Sequence, residues 1–433
     1  MKASAASGRC HSVGWTALLC AGLGLASCQS AQTEEENKLV FFNWWTSPGE
    51  LAALNQLVAV YTAKYPDVTI ENAVVTGGPA TDLHARLYDQ GLKIGKPPDS
   101  YQVHIGAETK ADLEFLQPID DLYQANNWPS VFPRAVLDYS RFNGSYYTTP
   151  VNVHRSNVLW YRLDLMAKIN RQPPATWDEF FEIAEQLKAA GEEVFVYNPA
   201  LDSKDPSNHI SWTTYHMFES ILLAELGEGG WLGLFDHSHS WNSPEVIEAF
   251  MKLKRLMTYA KPWPDSAGYD LTAMTTDNKP AAMALMGDWA EGDLTALGFK
   301  PGVDFGWAAA PGTADYFLFL SDSFPLPKGA PHEKNARRWL EVVGSKEAQD
   351  AFNPLKGSIS ARLDADLTRY DAYHQSAIND FASKRLVPSL AHGLAASPAF
   401  KQKYYEIVGQ FRDDNDAVAA AAALEDACQA NCD

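Results

Sequence analysis

The rhythm of apolar and polar positions changes repeatedly along this chain. Leu39 to Phe42 is a short apolar run of strand character, and Trp44 and Trp45 stand where that strand ends. Thr46, Ser47, Pro48 and Gly49 turn the chain, and Glu50 opens an amphipathic segment. From there Leu51, Leu54, Leu57, Val58 and Tyr61 recur at helical spacing and predict a helix over Leu51 to Tyr65 with one buried face. Pro66 ends it, and Val68 to Val75 alternates as a strand. Thr76 to Pro79 reads as a turn, Asp82 to Leu92 as a helix, and Ser100 to Ile105 as the next strand. Strands alternating with helices predict an α/β fold with a largely parallel sheet.

Further along, Asn143-Gly144 predicts a hairpin between Ser140 and Tyr147. Pro150 to Val153 then runs extended toward Val158 to Tyr161, which reads as a first crossing into a second lobe. Thr176 caps a helix with Glu179 closing a capping box, and Phe180, Ile183, Ala184 and Leu187 face inward. Trp212 to Leu226 and Pro244 to Tyr259 are predicted helices, separated by a Gly- and His-rich loop over Gly227 to Ser240. Phe305 to Ala310 reads as a second crossing, Asn335 to Val343 and Lys346 to Phe352 as helices, and Asn353 to Arg362 as a loop. From Ser397 the tail is Ala-rich and helical, docked on one lobe.

Length supports this two-lobed reading, since 433 residues exceed one typical domain. The formal net charge of −19 argues against nucleic acid or an anionic membrane surface as partner. Residues 1–27 are expected to be a signal peptide: Lys2 and Arg9 precede an apolar run, Trp15 to Ala26, that is too short for a stable membrane span. Leu25-Ala26-Ser27-Cys28 matches a bacterial lipobox, so Cys28 is the expected lipidation site, with an ordinary cleaved leader as the alternative. Both readings export the protein to the periplasm or cell surface. Gln29 to Asn37 is polar and acidic and belongs to a tether. Of the five Cys, Cys428 and Cys432 remain after the leader and the lipid site; their i, i+4 spacing in an oxidising compartment predicts a disulfide.

The search for chemistry is mostly negative. Gly227 to Gly233 misses dinucleotide spacing by one residue and follows no strand, so no nucleotide cofactor is expected. His237 and His239 lack nearby Cys or carboxylates at metal-ligand spacing and read as a solvated loop. Acids are abundant enough that a glycosidase pair always exists somewhere, which by itself favours nothing. What recurs is aromatic residues beside polar tips at strand ends. These are Trp44-Trp45 with Glu50, Gln102 and His104, Asp288-Trp289, Asp322, Lys356 and His392. Each alone fits ordinary structural duty. Together they match a sugar pocket, because indole faces stack on sugar C–H faces and hydroxyls need both donors and acceptors.

In these same stretches the chain resembles the sugar-binding proteins of bacterial ABC importers, most closely the periplasmic glucose/mannose-binding branch. The resemblance runs from about Leu39 to Arg412 and is densest at Trp44-Trp45, Gln102 to His104, Pro150 to Asn157, Met286 to Ala290, Leu320 to Phe324 and Asn353 to Ile359. It implies a two-lobed periplasmic-binding-protein-like fold of type II, with lobes joined by crossing strands and sugar in the cleft. The expected boundaries are 38–149 with 306–348 for one lobe and 150–305 with 349–433 for the other. By the same resemblance Trp44, Trp45 and Trp289 stack on the sugar, and Glu50, Gln102, His104, Asp322, Lys356 and His392 hydrogen-bond it. The chain departs from that branch at Leu271-Thr272-Ala273-Met274, where a further stacking Trp is expected, with Tyr269 or Met274 as substitutes. The expected protein is a monomeric, non-enzymatic carrier that hands a neutral sugar to an ABC permease. Glucose or a related monosaccharide is the first expectation, a small oligosaccharide the second. A glycoside-processing enzyme, a ligand for a membrane chemosensor and a purely structural lipoprotein are the rivals.

Overall fold

The computed structural model describes residues 37–74, 87, 91–197, 212–261 and 271–432. The leader, Cys28, Tyr269 and most of the helix expected at 82–92 lie outside the described residues.

The first body is built on the strand Lys38–Asn43, flanked in parallel by Thr69–Val74 and Ser100–Tyr101. Alternation sends Leu39 and Phe41 inward, where Phe41 stacks on Trp339 with ring centroids 4.5 Å apart. The following helix, Pro48–Lys64, buries Ala53, Leu54, Leu57 and Tyr61 against the same core. At its start Glu50 Oε2 accepts from the Thr46 and Ser47 amides, at 3.0 and 3.1 Å, and so satisfies donors a helix start leaves open.

The second body carries a five-stranded mixed sheet. Ala281–Leu285 lies between Glu193–Val196, parallel to it, and Val158–Arg162, antiparallel. Phe305–Ala309 pairs antiparallel on the other edge of Val158–Arg162. The largely parallel expectation therefore fits the first sheet and not this one, because the chain enters the second body on one strand and returns beside it in the opposite direction. The tail helices Pro398–Asp414 and Ala417–Asn431 pack on Trp212–Gly233 and Pro244–Met257, with Phe400, Tyr404, Phe411 and Leu424 in a common core with Phe218 and Phe250. Cys428 and Cys432 form a disulfide across the final helical turn, with Cα atoms 4.7 Å apart.

Two antiparallel strands pass between the bodies side by side. Thr148–Pro150 pairs with Asp322–Pro325 in the first body. Beyond the junction, Asn152–Arg155 pairs with Tyr316–Leu320 in the second. The junctions are Val151, whose amide donates to Asp322 O at 2.9 Å, and Ser321, whose hydroxyl donates to Asn152 O at 2.6 Å. Phe305–Ala309 and Tyr316–Leu320 lie in sheets of the second body, while Ala348 and Phe352 fill the first core.

Three local expectations change for identifiable reasons. The strand expected over Ser100 to Ile105 splits at Gln102, with Val103–His104 leaving the first sheet to pair with Asp322–Ser323. The first half of the loop expected from Gly227 is helical: Trp212–Gly233 continues through one break, where Gly227 adopts φ +62°. The segment from Asn353 is also helical as far as Lys356. Pro354 removes one backbone donor from the helix Lys346–Lys356, and the Asp350 carbonyl accepts from Arg369 at 3.4 Å instead.

Candidate functional site

Asp322 is the first residue after the Ser321 junction, so the fold places its carboxylate between the bodies. Gln102 Nε2 donates to Oδ1 at 2.7 Å, and His104 Nε2 lies 3.5 Å from the same oxygen. Oδ2 accepts from Asn152 Nδ2 at 2.8 Å and faces His154 Nε2 at 3.2 Å. Asn152 and His154 are two apart on one strand and hence share a face. His154 in turn bonds Asp288 through Nδ1, and Asp288 Oδ2 accepts the Arg155 amide at 2.8 Å. Burial opposes the charge on His154, but the charge and hydrogen bond of Asp288 outweigh it and raise its pKa. Burial likewise pushes Asp322 up, yet the hydrogen bond and charge of His154, with His104 and Lys356, hold it well below the usual carboxylate range.

A second group surrounds Trp289, the first residue of the helix Trp289–Ala296. The rings of His154, His216 and His392 meet it edge-on or tilted at 5.2–5.5 Å, and Lys356 Nζ lies 5.8 Å from its ring centre. His216 Nδ1 and His392 Nε2 are 3.0 Å apart. Burial pushes His216 down to about 3, and burial together with His216 and His104 holds His392 well below the usual imidazole value. Both rings are therefore neutral, and each carries one donor and one acceptor. Glu219 lies behind them, accepting from Ser156 at 2.5 Å, Ser389 at 2.8 Å and the Ala391 amide at 3.0 Å.

Lys356 and Glu50 join the two groups. Lys356 Nζ donates to Glu50 Oε1 at 3.1 Å, leaving Oε2 on the helix start. Trp44, half-buried, tilts against His104 at 5.1 Å, and His104 reaches His392 at 5.9 Å. Beside them the bodies meet backbone to backbone. The Gly49 amide donates to Asp293 Oδ1 at 2.9 Å. A Cβ on Gly49 would lie 2.6 Å from Gly292 C, one on Gly292 2.5 Å from Leu355 O, and one on Gly357 2.2 Å from Asp288 O.

Of the residues expected at the site, Trp44, Glu50, Gln102, His104, Trp289, Asp322, Lys356 and His392 thus form one connected cluster drawn from both bodies and the strands between them. Trp45 is placed elsewhere. Its ring is fully buried in the first core against Phe352 and Phe324, at 4.9 and 5.8 Å. Met274 is buried in the same hydrophobic cluster as Trp289, and its carbonyl accepts from Arg162 at 2.7 Å. The structure adds Asn152, His154 and His216. Period-two spacing on the crossing strand was a signal for Asn152 and His154; His216, inside an apolar helix, gave none.

A family model for bacterial extracellular solute-binding proteins matches residues 56–378. The chain belongs to this family. The match spans both bodies and both crossing strands. An uncharacterised ABC-transporter extracellular-binding protein of Pyrococcus horikoshii is 35% identical over 91% of this chain and 88% of its own. A probable sugar-binding periplasmic protein of Brucella melitensis is 27% identical over 90% of this chain and 92% of its own. Among solved structures, the bacterial solute receptor AcbH, described as preferring β-D-galactopyranose, superposes with a TM-score of 0.74 at 19% identity, covering 91% of this chain and 98% of that one. That likeness establishes the two-lobed fold. These relatives are binding proteins rather than enzymes, and the family acts outside the cytoplasmic membrane with ABC transporters. No helix among the described residues is long and apolar enough to cross a membrane.

Proposed function

We propose that this solute-binding protein captures a neutral sugar, glucose or a related monosaccharide, between its two bodies and delivers it to an ABC permease, held at the membrane by a lipid on Cys28. One observation carries the reading. An indole face, two neutral imidazoles, an amide, two carboxylates and one ammonium converge at the crossing strands. That mixture of donors and acceptors suits hydroxyls, which do both. The paired charges Lys356–Glu50 and the ionised Asp322 leave no surplus positive charge for a phosphate or carboxylate. Trp44 and Trp289 serve as stacking faces, and Gln102, His104, Glu50, Asp322, Lys356 and His392 as hydroxyl partners. Sugar gripped by both bodies favours their closed arrangement by the difference in its affinity for the two states. The relative's printed name, sugar-binding periplasmic protein, supports the same substrate class.

A small oligosaccharide is the second reading. It is favoured by Leu271-Thr272-Ala273-Met274 standing where the branch it resembles is expected to carry a further stacking Trp: unless Tyr269 or Met274 takes that place, the cleft would be wider on that side. A thermal-shift screen over mono- and disaccharides tests both. Stabilisation by a neutral hexose and none by its 6-phosphate supports the first reading; stabilisation by disaccharides alone supports the second. Equal stabilisation by glucose 6-phosphate, or none by any neutral sugar, overturns the proposal.

A further inference from the structure

The helix that presents Trp289 carries a second buried group. Glu291 follows Trp289 by two residues, and His374 and Asp371 meet it from the start of the helix Ala372–Ser383. Glu291 and His374 are each about 1% exposed as side chains. Glu291 Oε1 is held by the Thr295 hydroxyl at 2.8 Å, while Oε2 has no hydrogen-bond partner. Asp371 Oδ1 accepts from the His374 amide at 3.0 Å and lies 2.7 Å from His374 Nδ1. An ionised carboxylate only accepts, so Nδ1 carries the hydrogen and Nε2 is left as the free ring position. Nε2 is buried, has no hydrogen-bond partner, and faces Glu291 Oε2 at 3.7 Å.

We propose that Glu291 and His374, with Asp371 holding the ring from its other nitrogen, form a binding site for one divalent cation of the zinc class, water completing its shell. Glu291 Oε2 and His374 Nε2 are thus two buried ligand atoms that face each other with no hydrogen bond between them, and a cation placed there would engage both. A proton on Nε2 does not close this gap, because 3.7 Å exceeds hydrogen-bond length. A metal about 2.0–2.2 Å from each ligand in tetrahedral geometry sets them about 3.4 Å apart, close to the spacing found. One oxygen from each acid and one ring nitrogen all lie within 4.8 Å of one another. A mixed imidazole and carboxylate set suits zinc rather than calcium or magnesium, which prefer oxygen cages. Asp371 also orients the ring as outer-shell acids do for metal-bound His, and at 34% exposure its side chain gives a route from solvent. The trio His216, Glu219 and His392 differs: its acid is already engaged by Ser156, Ser389 and the Ala391 amide. A bound cation would pin the Trp289 helix to the Ala372–Ser383 helix and fix the stacking face.

The test uses the tag-free chain, stripped with a chelator and titrated with Zn²⁺ by calorimetry, with Co²⁺ absorption in parallel. One-to-one uptake, a raised unfolding temperature, and a tetrahedral Co²⁺ spectrum displaced by Zn²⁺ are expected. Glu291→Gln and His374→Gln abolish uptake, and Asp371→Asn lowers affinity about 10–100-fold. Absence of saturable one-to-one uptake, or uptake undiminished in His374→Gln, overturns the site. Should these variants fail to fold, the Co²⁺ spectrum of the unaltered chain decides: an octahedral spectrum, or none, overturns it.

Discussion

Trp45 and Trp289 both stand where a strand gives way to a helix, yet their surroundings differ in kind. Trp45 is enclosed by Phe324 and Phe352 with no exposed surface, and its indole nitrogen has no hydrogen-bond partner. Trp289 is ringed by three imidazoles and an ammonium at the meeting of the bodies. One ring is packed among apolar rings, and the other, proposed as a wall of the sugar site, among imidazoles and an ammonium. Residue type and position relative to a strand do not separate these duties. The chemistry of the neighbours does, and those neighbours come from distant parts of the chain.

The contrast is broken most directly at Trp45. Trp45→Ala is expected to cost about 3–5 kcal/mol of stability, as a large core truncation. Sugar affinity of the folded fraction should be nearly unchanged; denaturant melts and calorimetry together check this, and a selective loss of affinity would return Trp45 to the wall. At the polar centre, Asp322→Asn keeps the shape and removes the charge that Gln102, Asn152 and two imidazoles address. It should cost about 1.5–3 kcal/mol of sugar affinity, and an unchanged calorimetric constant would place the sugar elsewhere. Trp289→Ala should cost about 1–3 kcal/mol of affinity through lost stacking and burial, across epimers alike. Selective loss for one epimer would contradict a stacking role.

The smallest effect concerns pH. The folded chain raises the His154 pKa. Its contribution is therefore full below the unfolded imidazole value of about 6.5 and is lost as pH rises through the higher folded value. Urea midpoints should decline on the alkaline side, and His154→Gln should flatten that decline. A parallel decline in the variant would assign the effect to another group.

Much of this arrangement was legible in local pattern. Alternation located Lys38–Asn43, helical spacing located Pro48–Lys64, and Asn143-Gly144 marked a hairpin whose two turn residues do adopt φ of +50° and +89°. What escaped is where the chain changes partners. Tyr316 to Phe324 reads as one apolar run broken only by Ser321-Asp322-Ser323, while its halves belong to sheets of different bodies. Gln102 likewise sits mid-strand by pattern and between sheets in space. Nothing within a few residues encodes such a switch, since pairing partners far away in the chain determine it. The polar tips were recognisable as candidates because acids, amides and imidazoles at strand ends are conspicuous. Their mutual bonds, and the burial that keeps His216 and His392 neutral, exist only once both bodies are assembled.

The contact of Gly49, Gly292 and Gly357 gives this molecule a mechanical end-stop made of peptide planes. With no side chain cushioning the approach, its position is as stiff as main chain and cannot yield to accommodate bulk. If sugar is held between the bodies as proposed, this stop would gauge it for size: a molecule would either nest behind the stop or hold the jaws ajar. A permease docking on the outside would then meet a single silhouette for every cargo that fits.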